Sequence, residues 1–273
     1  MSALRITCLA TLLAGTGLLA ACGYHVQDTS GRTFLDREPS LAATPPQTAS
    51  ATRPGAATDF RRELRAAADV EPRLTFPARI GLARVERGEM TAIPPAEAEA
   101  WMKMAEKLGP RFGTFVLVSP LVVELVASEA DDRGKERRLH RGTVAELVRK
   151  LRLGAARQHV DAMLIYEVTG HANDKATLLS VTDLSIVGLY VVPSRHLAAE
   201  GFASALLLDV RNGYPYGTAT ARSGDTDLVR SVGSEAKRDG LLQTVRTAAA
   251  VNLVGEVEKM AEAIYRRGGA QRR

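Results

Sequence analysis

The chain has 273 residues, 45% of them hydrophobic and 25% charged, the proportions of a globular protein rather than a disordered one. The formal charge is +5, but four arginines at the C-terminus (Arg266, Arg267, Arg272 and Arg273) match the excess of base left once Arg5 is set aside with the leader. The body is near neutral, without the clustered basic face of a nucleic-acid binder, and no nucleic-acid partner is expected. Only two cysteines are present, Cys8 and Cys22. Cys8 lies inside the apolar leader, which excludes a redox pair, a disulfide or a cysteine zinc site from the rest of the chain.

Residues 1–22 have the layout of a signal peptide. Arg5 supplies the positive start. Ile6 to Leu19 is an apolar run of about 14 residues, short of the roughly 20 that a membrane-spanning helix needs. Leu19, Ala20 and Ala21 then lead into Cys22. This stretch resembles the lipobox of bacterial lipoproteins. The resemblance implies diacylglyceryl transfer to Cys22, cleavage before it and N-acylation, a membrane anchor of two or three acyl chains. Gly23, where an Asp would favour inner-membrane retention, implies the outer membrane, with the protein facing the periplasm.

Gln27 to about Glu71 carries Pro39, Pro45, Pro46 and Pro54 among Ala, Thr and Ser, with few β-branched aliphatics. Such a segment buries too little apolar surface to offset chain ordering. The composition predicts a disordered tether over 23–72, with a short helix near Phe60–Ala68 at its end. The globular domain is then 73–268, and 269–273 is a basic tail.

Within the domain, Arg79 to Val85 alternates as a strand does. Pro94-Pro95 opens a helix through Leu108, since proline suits a first helical turn. Thr114 to Val126 is strongly apolar and predicts a strand bent at Ser119-Pro120. The charge run Asp131 to Arg138 predicts a solvated loop. Thr143 with Glu146 forms a capping-box pattern ahead of a second helix. Ala162 to Thr169 predicts a central strand, followed by strand-like runs at Lys175–Val192, Gly201–Val210 and Tyr214–Ala221. Asn212-Gly213 joins the last two as a tight hairpin with both turn residues at positive φ. Pro215 just after the turn predicts a sheet edge there. Apolar residues stepping by three and four from Leu242 to Ile264 predict a long helix over about Ser234 to Arg267. The fold class is α/β (α+β): a mixed, mostly antiparallel sheet with two helices on one face and a long C-terminal helix.

Chemistry-bearing motifs are sparse. His25, His140, His159, His171 and His196 have no metal-ligand spacing. Asp225 and Asp227 form a D-x-D in what the pattern predicts to be a loop, without the Glu of a calcium loop; that position is Ala236. Glu167 and Asp209 sit in strands on what alternation predicts to be the outward face. Tyr214 and Tyr216, beside the hairpin turn, are the candidate partner-binding residues: on an edge strand they stack on a sugar or grip a peptide, while the plainer reading has them covering a neighbouring strand. No cofactor, metal or catalytic group is expected.

The order of elements, with Ala162–Thr169 following a helix and the hairpin of Ala205 to Ala221, resembles the α/β domain of periplasmic lipoproteins. Among these are the curli secretion lipoprotein, the amino-terminal domain of the translocation protein TolB, and the lipoprotein activators of peptidoglycan synthases. The lipobox together with Val187-Gly188-Leu189-Tyr190 and the stretch Arg211 to Gly217 resembles the rhombotarget lipoproteins. Gly268-Gly269 and the trailing arginines are similar to their sorting signals, although the membrane stretch of a full sorting tail is absent. The resemblance implies a non-enzymatic envelope lipoprotein that binds a periplasmic protein or peptidoglycan. An oligomeric subunit of a secretion assembly and a cell-wall hydrolase are the alternatives.

Overall fold

Structure follows the two apolar periods of the sequence, three to four residues in the helices and two in the strands. The structure is a computed structural model and describes residues 22–37, 56–133, 144–176, 195–229 and 234–270. In chain order the elements are β1 (Gly23–Val26), α1 (Gly31–Arg37), α2 (Ala56–Ala68), β2 (Ala78–Glu86), β3 (Glu89–Thr91), α3 (Pro95–Leu108), β4 (Gly113–Leu117), α4 (Pro120–Arg133), α5 (Val144–Arg157), β5 (Ala162–Ala176), β6 (Arg195–Asp209), β7 (Pro215–Val229) and α6 (Ser234–Ala270). The strands form one sheet in the order β1-β7-β6-β5-β2-β3, with β4 also paired to β2. β4 and β5 run parallel to β2, and the remaining pairs are antiparallel. The fold is α/β, with a mixed and mostly antiparallel sheet.

Each parallel pair needs a crossover. α3 lies on the connection from β2 to β4, and α4 and α5 lie on the connection from β4 to β5. These crossovers cover opposite faces. On one face Trp101, Met104 and Leu108 of α3 join Ala249, Leu253, Val257 and Met260 of α6 over Leu82, Leu164, Tyr166 and Val168. On the other face Val123 of α4 and Leu151 and Ala155 of α5 pack on Ala83, Val85 and Met163. Full burial of each large apolar side chain stabilises the fold by about 1.5–3 kcal/mol. Gly201 lets α6 approach β6 closely: a Cβ there would stand 2.2 Å from the carbonyl oxygen of Val245.

Thr114 to Val126 is not one strand. β4 stops at Leu117, and Pro120 starts α4. The Val123 amide bonds the Ser119 carbonyl at 3.1 Å, and Val123, Val126 and Ala127 share the buried side. In an unbroken apolar run the helical period is masked by Leu121 and Leu125, which face outward. The charge run beyond it divides: Asp131 to Arg133 close α4, and 134–143, with Thr143, lie outside the described residues.

The N-terminal segment also departs from a tether over 23–72. Gly23 to Val26 pairs with β7, from Gly23 opposite Thr220 to Val26 opposite Gly217. α1 docks where the Gly31 amide bonds the Val70 carbonyl at 3.0 Å, and the Arg32 amide bonds Glu71 Oε1 at 2.8 Å. Val70, Leu74 and Phe76 pack on the main core. Composition misjudged the segment because its apolar residues serve singly, each dependent on a partner far along the chain. Residues 38–55 lie outside the described residues.

Three further differences concern the last strands. Most of Lys175–Val192 falls in 177–194, outside the described residues. Asp225 and Asp227 belong to β7 rather than to a loop. The connection from β6 to β7 is 210–214, braced by Asp209 N–H to the Tyr214 carbonyl at 2.9 Å and Gly213 N–H to the Asp209 carbonyl at 3.0 Å. Only Gly213 of the pair takes positive φ, at 77°, so the connection is the longer loop rather than the two-residue turn.

Candidate functional site

Cys22 is exposed and immediately precedes β1. Leu19, Ala20 and Ala21 lie outside the described residues. β1 is the terminal strand of the sheet, and α6 runs beside it. Arg267 of α6 donates to the Val26 carbonyl at 3.3 Å and to Asp28 Oδ2 at 3.1 Å. Lys259 of α6 pairs with Glu256 at 2.7 Å and lies within electrostatic reach of Cys22 and Tyr24. Exposed side chains at this edge include Tyr24, His25, Gln27, Asp28, Lys259 and Arg267.

Tyr214 and Tyr216 are not on a free edge. β7 is flanked by β6 and β1, and the two rings are 2% and 3% exposed. Their centroids are 5.0 Å apart with a tilt of 55°. Tyr216 Oη accepts from the amides of Arg73 at 2.9 Å and Leu74 at 2.6 Å, and donates to Asp209 Oδ2 at 2.8 Å. Tyr214 Oη donates to the Thr29 carbonyl at 2.9 Å. Burial pushes both phenols up. For Tyr216 the Asp209 carboxylate adds to this; for Tyr214 the charges of Asp28 and Glu71 do, and its pKa is about 12. The plainer reading of these tyrosines describes them: they cover neighbours and pin the N-terminal segment to the hairpin.

Asp209 faces inward, at 1% exposed. Alternation from Ala203, Ala205 and Leu207, all buried in the main core, brings it to the same side. Its Oδ1 accepts from the Arg211 amide at 2.8 Å. Glu167 is exposed, so the two carboxylates do not meet. No sequence motif marks Asp209, because Tyr216, which donates to it, is itself held by the amides of Arg73 and Leu74, which come to it only in the fold.

A second buried polar group was not legible in the sequence. Arg84 and Glu97 are buried, and Glu97 Oε2 accepts from Arg84 Nε at 3.1 Å and from Tyr166 Oη at 2.8 Å. Arg84 also reaches Glu86 Oε2 at 2.9 Å and Thr91 Oγ1 at 3.0 Å, and Arg246 of α6 reaches Glu86 Oε1 at 2.7 Å. Burial, then the charge of Glu97, raises the Tyr166 phenol well above its ordinary range. The hydrogen bonds from Arg84 and Arg246 hold the Glu86 carboxyl below its usual value. The group links β2, β3, α3, β5 and α6, and leaves Arg246 Nε buried without a hydrogen-bond partner among the described residues.

At the hairpin end a cleft of about 580 Å³ is lined by Arg149, Arg152, His159, Asp161 and Arg211. Arg152 donates to the carbonyls of Val210 at 2.9 Å and Arg211 at 2.8 Å, while Asp161 pairs with Arg211 and accepts from the Arg79 amide at 2.9 Å. His159 takes φ 58° just past α5, where Val160 N–H reaches back to the Ala155 carbonyl at 3.0 Å. That is a helix-capping role for an imidazole on the surface. Among the described residues no three His, Cys, Asp or Glu side chains group to hold a metal ion, and no helix is long and apolar enough to cross a membrane.

No protein-family model matches this sequence, and no curated relative does. Similar solved structures include the PelC dodecamer from Paraburkholderia phytofirmans, with 13% identity over 70% of this chain and 91% of that one, at a TM-score of 0.29. Lipoprotein GNA1162 from Neisseria meningitidis has 16% identity over 62% of this chain and 96% of that one, at 0.27. The hypothetical protein CT253 from Chlamydia trachomatis has 12% identity over 68% and 99%, at 0.29. Likenesses this low carry no argument about function.

Proposed function

We propose that this is a non-enzymatic, lipid-anchored envelope protein of the outer membrane, facing the periplasm and binding a protein or cell-wall partner there. One observation carries the reading: Cys22 follows Leu19-Ala20-Ala21 and an apolar leader opened by Arg5, and it stands exposed immediately before β1. An acylating enzyme needs that thiol accessible, and the sheet begins only after it. A non-enzymatic role is supported by the two buried polar groups. Glu97 and Asp209 are each buried and engaged by protein donors.

Metabolic labelling with a palmitate analogue tests the anchor. Wild-type protein takes up label and partitions with membranes. Cys22→Ser protein takes up none, and is either released or left uncleaved. Unchanged membrane partitioning of a cleaved Cys22→Ser product contradicts acylation. In-cell crosslinking with mass spectrometry tests the binding role, and capture of lipid alone, with neither protein nor glycan, ends it.

A further inference from the structure

We infer that the β1 edge of the sheet, with the adjoining turn of α6, is seated directly on the lipid surface that holds Cys22. The inference rests on the acylation proposed above and goes beyond it, because an anchor alone leaves open whether the domain hangs free or sits. Chain length decides between the two. Gly23, next to the acylated residue, is already paired with Thr220. At about 3.4 Å per residue, Tyr24 is held within about 7 Å of the anchor. No slack separates lipid from fold. The rest of the segment predicted as a tether follows β1 in the chain, so it cannot lengthen the link between Cys22 and the sheet.

β1 is also held well enough to transmit the constraint. Four residues pair with β7, the Gln27 amide bonds the Tyr216 carbonyl at 2.9 Å, and Arg267 clamps Val26 and Asp28. The side chains at this edge suit a headgroup layer. Tyr24, 42% exposed, is amphipathic and of the type enriched at membrane interfaces. Lys259, 61% exposed and paired with the largely buried Glu256, presents an ammonium able to hydrogen-bond headgroups, its charge balanced by that carboxylate. The outer side of β1 has no partner strand among the described residues. Headgroups and interfacial water satisfy its open backbone, and the bilayer keeps other chains from pairing with it.

Fluorescence quenching of the full-length, acylated protein tests this. The chain has a single tryptophan, Trp101, which is fully buried, so the parent supplies a low baseline. Tyr24→Trp puts an indole at the seat. Leu121→Trp puts one at an 82% exposed position just after β4, about 24 Å across the sheet from β1 at five strand spacings. Each protein is reconstituted into phosphatidylethanolamine–phosphatidylglycerol vesicles carrying brominated acyl chains. The expected result is co-flotation of all three, with quenching several-fold above the parent for Tyr24→Trp and at the parental level for Leu121→Trp. Co-flotation without excess quenching at Tyr24→Trp overturns the seat and leaves the anchor standing. Equal quenching at both positions also overturns it. Failure of the parent to float overturns the anchor, and the seat with it.

Discussion

Tyr216 donates its hydroxyl to the buried carboxylate of Asp209 at 2.8 Å while accepting the amides of Arg73 and Leu74. One phenol oxygen thus joins the end of β6 to the chain that leads into β2. Residues more than 140 positions apart in sequence are fixed by it.

Removing that hydroxyl with Tyr216→Phe strips a donor from Asp209 and an acceptor from two amides. A buried group left unsatisfied costs about 1–3 kcal/mol, and here several are affected together. The expected loss is at or above the top of that range in urea unfolding. Asp209→Asn sets an NH2 donor where one of the two accepting carboxylate oxygens stood, and is also expected to destabilise. A loss below about 0.5 kcal/mol for Tyr216→Phe would show that water replaces the bonds.

Tyr214 sets a direction for alkaline pH. Its folded pKa is about 12 against an ordinary value of 10.0, so the folded state holds the proton more tightly. The contribution is full below pH about 10 and falls as pH rises from about 10 to about 12. Tyr214→Phe cannot titrate. The stability difference between wild type and this variant should therefore shift against wild type across that window in paired denaturation curves. A difference independent of pH would place the phenol in water.

The division between β4 and α4 gives a discriminating pair. In a strand, Leu121 and Val123 would share a face. In the helix, Leu121 is exposed and Val123 is buried. Leu121→Glu is expected to change stability by less than about 0.5 kcal/mol. Val123→Asp buries an uncompensated carboxyl and is expected to cost several kcal/mol. Similar melting temperatures for the two variants would restore the strand.

Gly201→Ala probes the approach of α6 to β6. The added methyl meets backbone rather than a flexible side chain, 2.2 Å from the Val245 oxygen. The helix must move away, at a cost of about 1–3 kcal/mol, with a matching drop in thermal midpoint. An unchanged midpoint would mean that α6 is free to slide.

The sequence alone determined the elements whose period is uninterrupted. α3, α5 and α6 declare themselves by apolar residues three and four apart, with Pro95 and the last-turn arginines marking ends, and Ala162–Thr169 could only be an inner strand. The lipobox-like stretch before Cys22 is likewise local and needs no fold to be read. Tertiary structure decided what depends on partners distant in sequence. Gly23–Val26 is a strand only because β7 lies beside it, Tyr214 and Tyr216 are buried because that same strand closes over β7, and the Tyr216 hydroxyl that binds Asp209 takes its own donors from the amides of residues 73 and 74. Short segments and buried polar groups take their free energy from such long-range contacts, and no local pattern records them. For the same reason the proposed anchor implies a seat only once the first residue after Cys22 is found in the sheet.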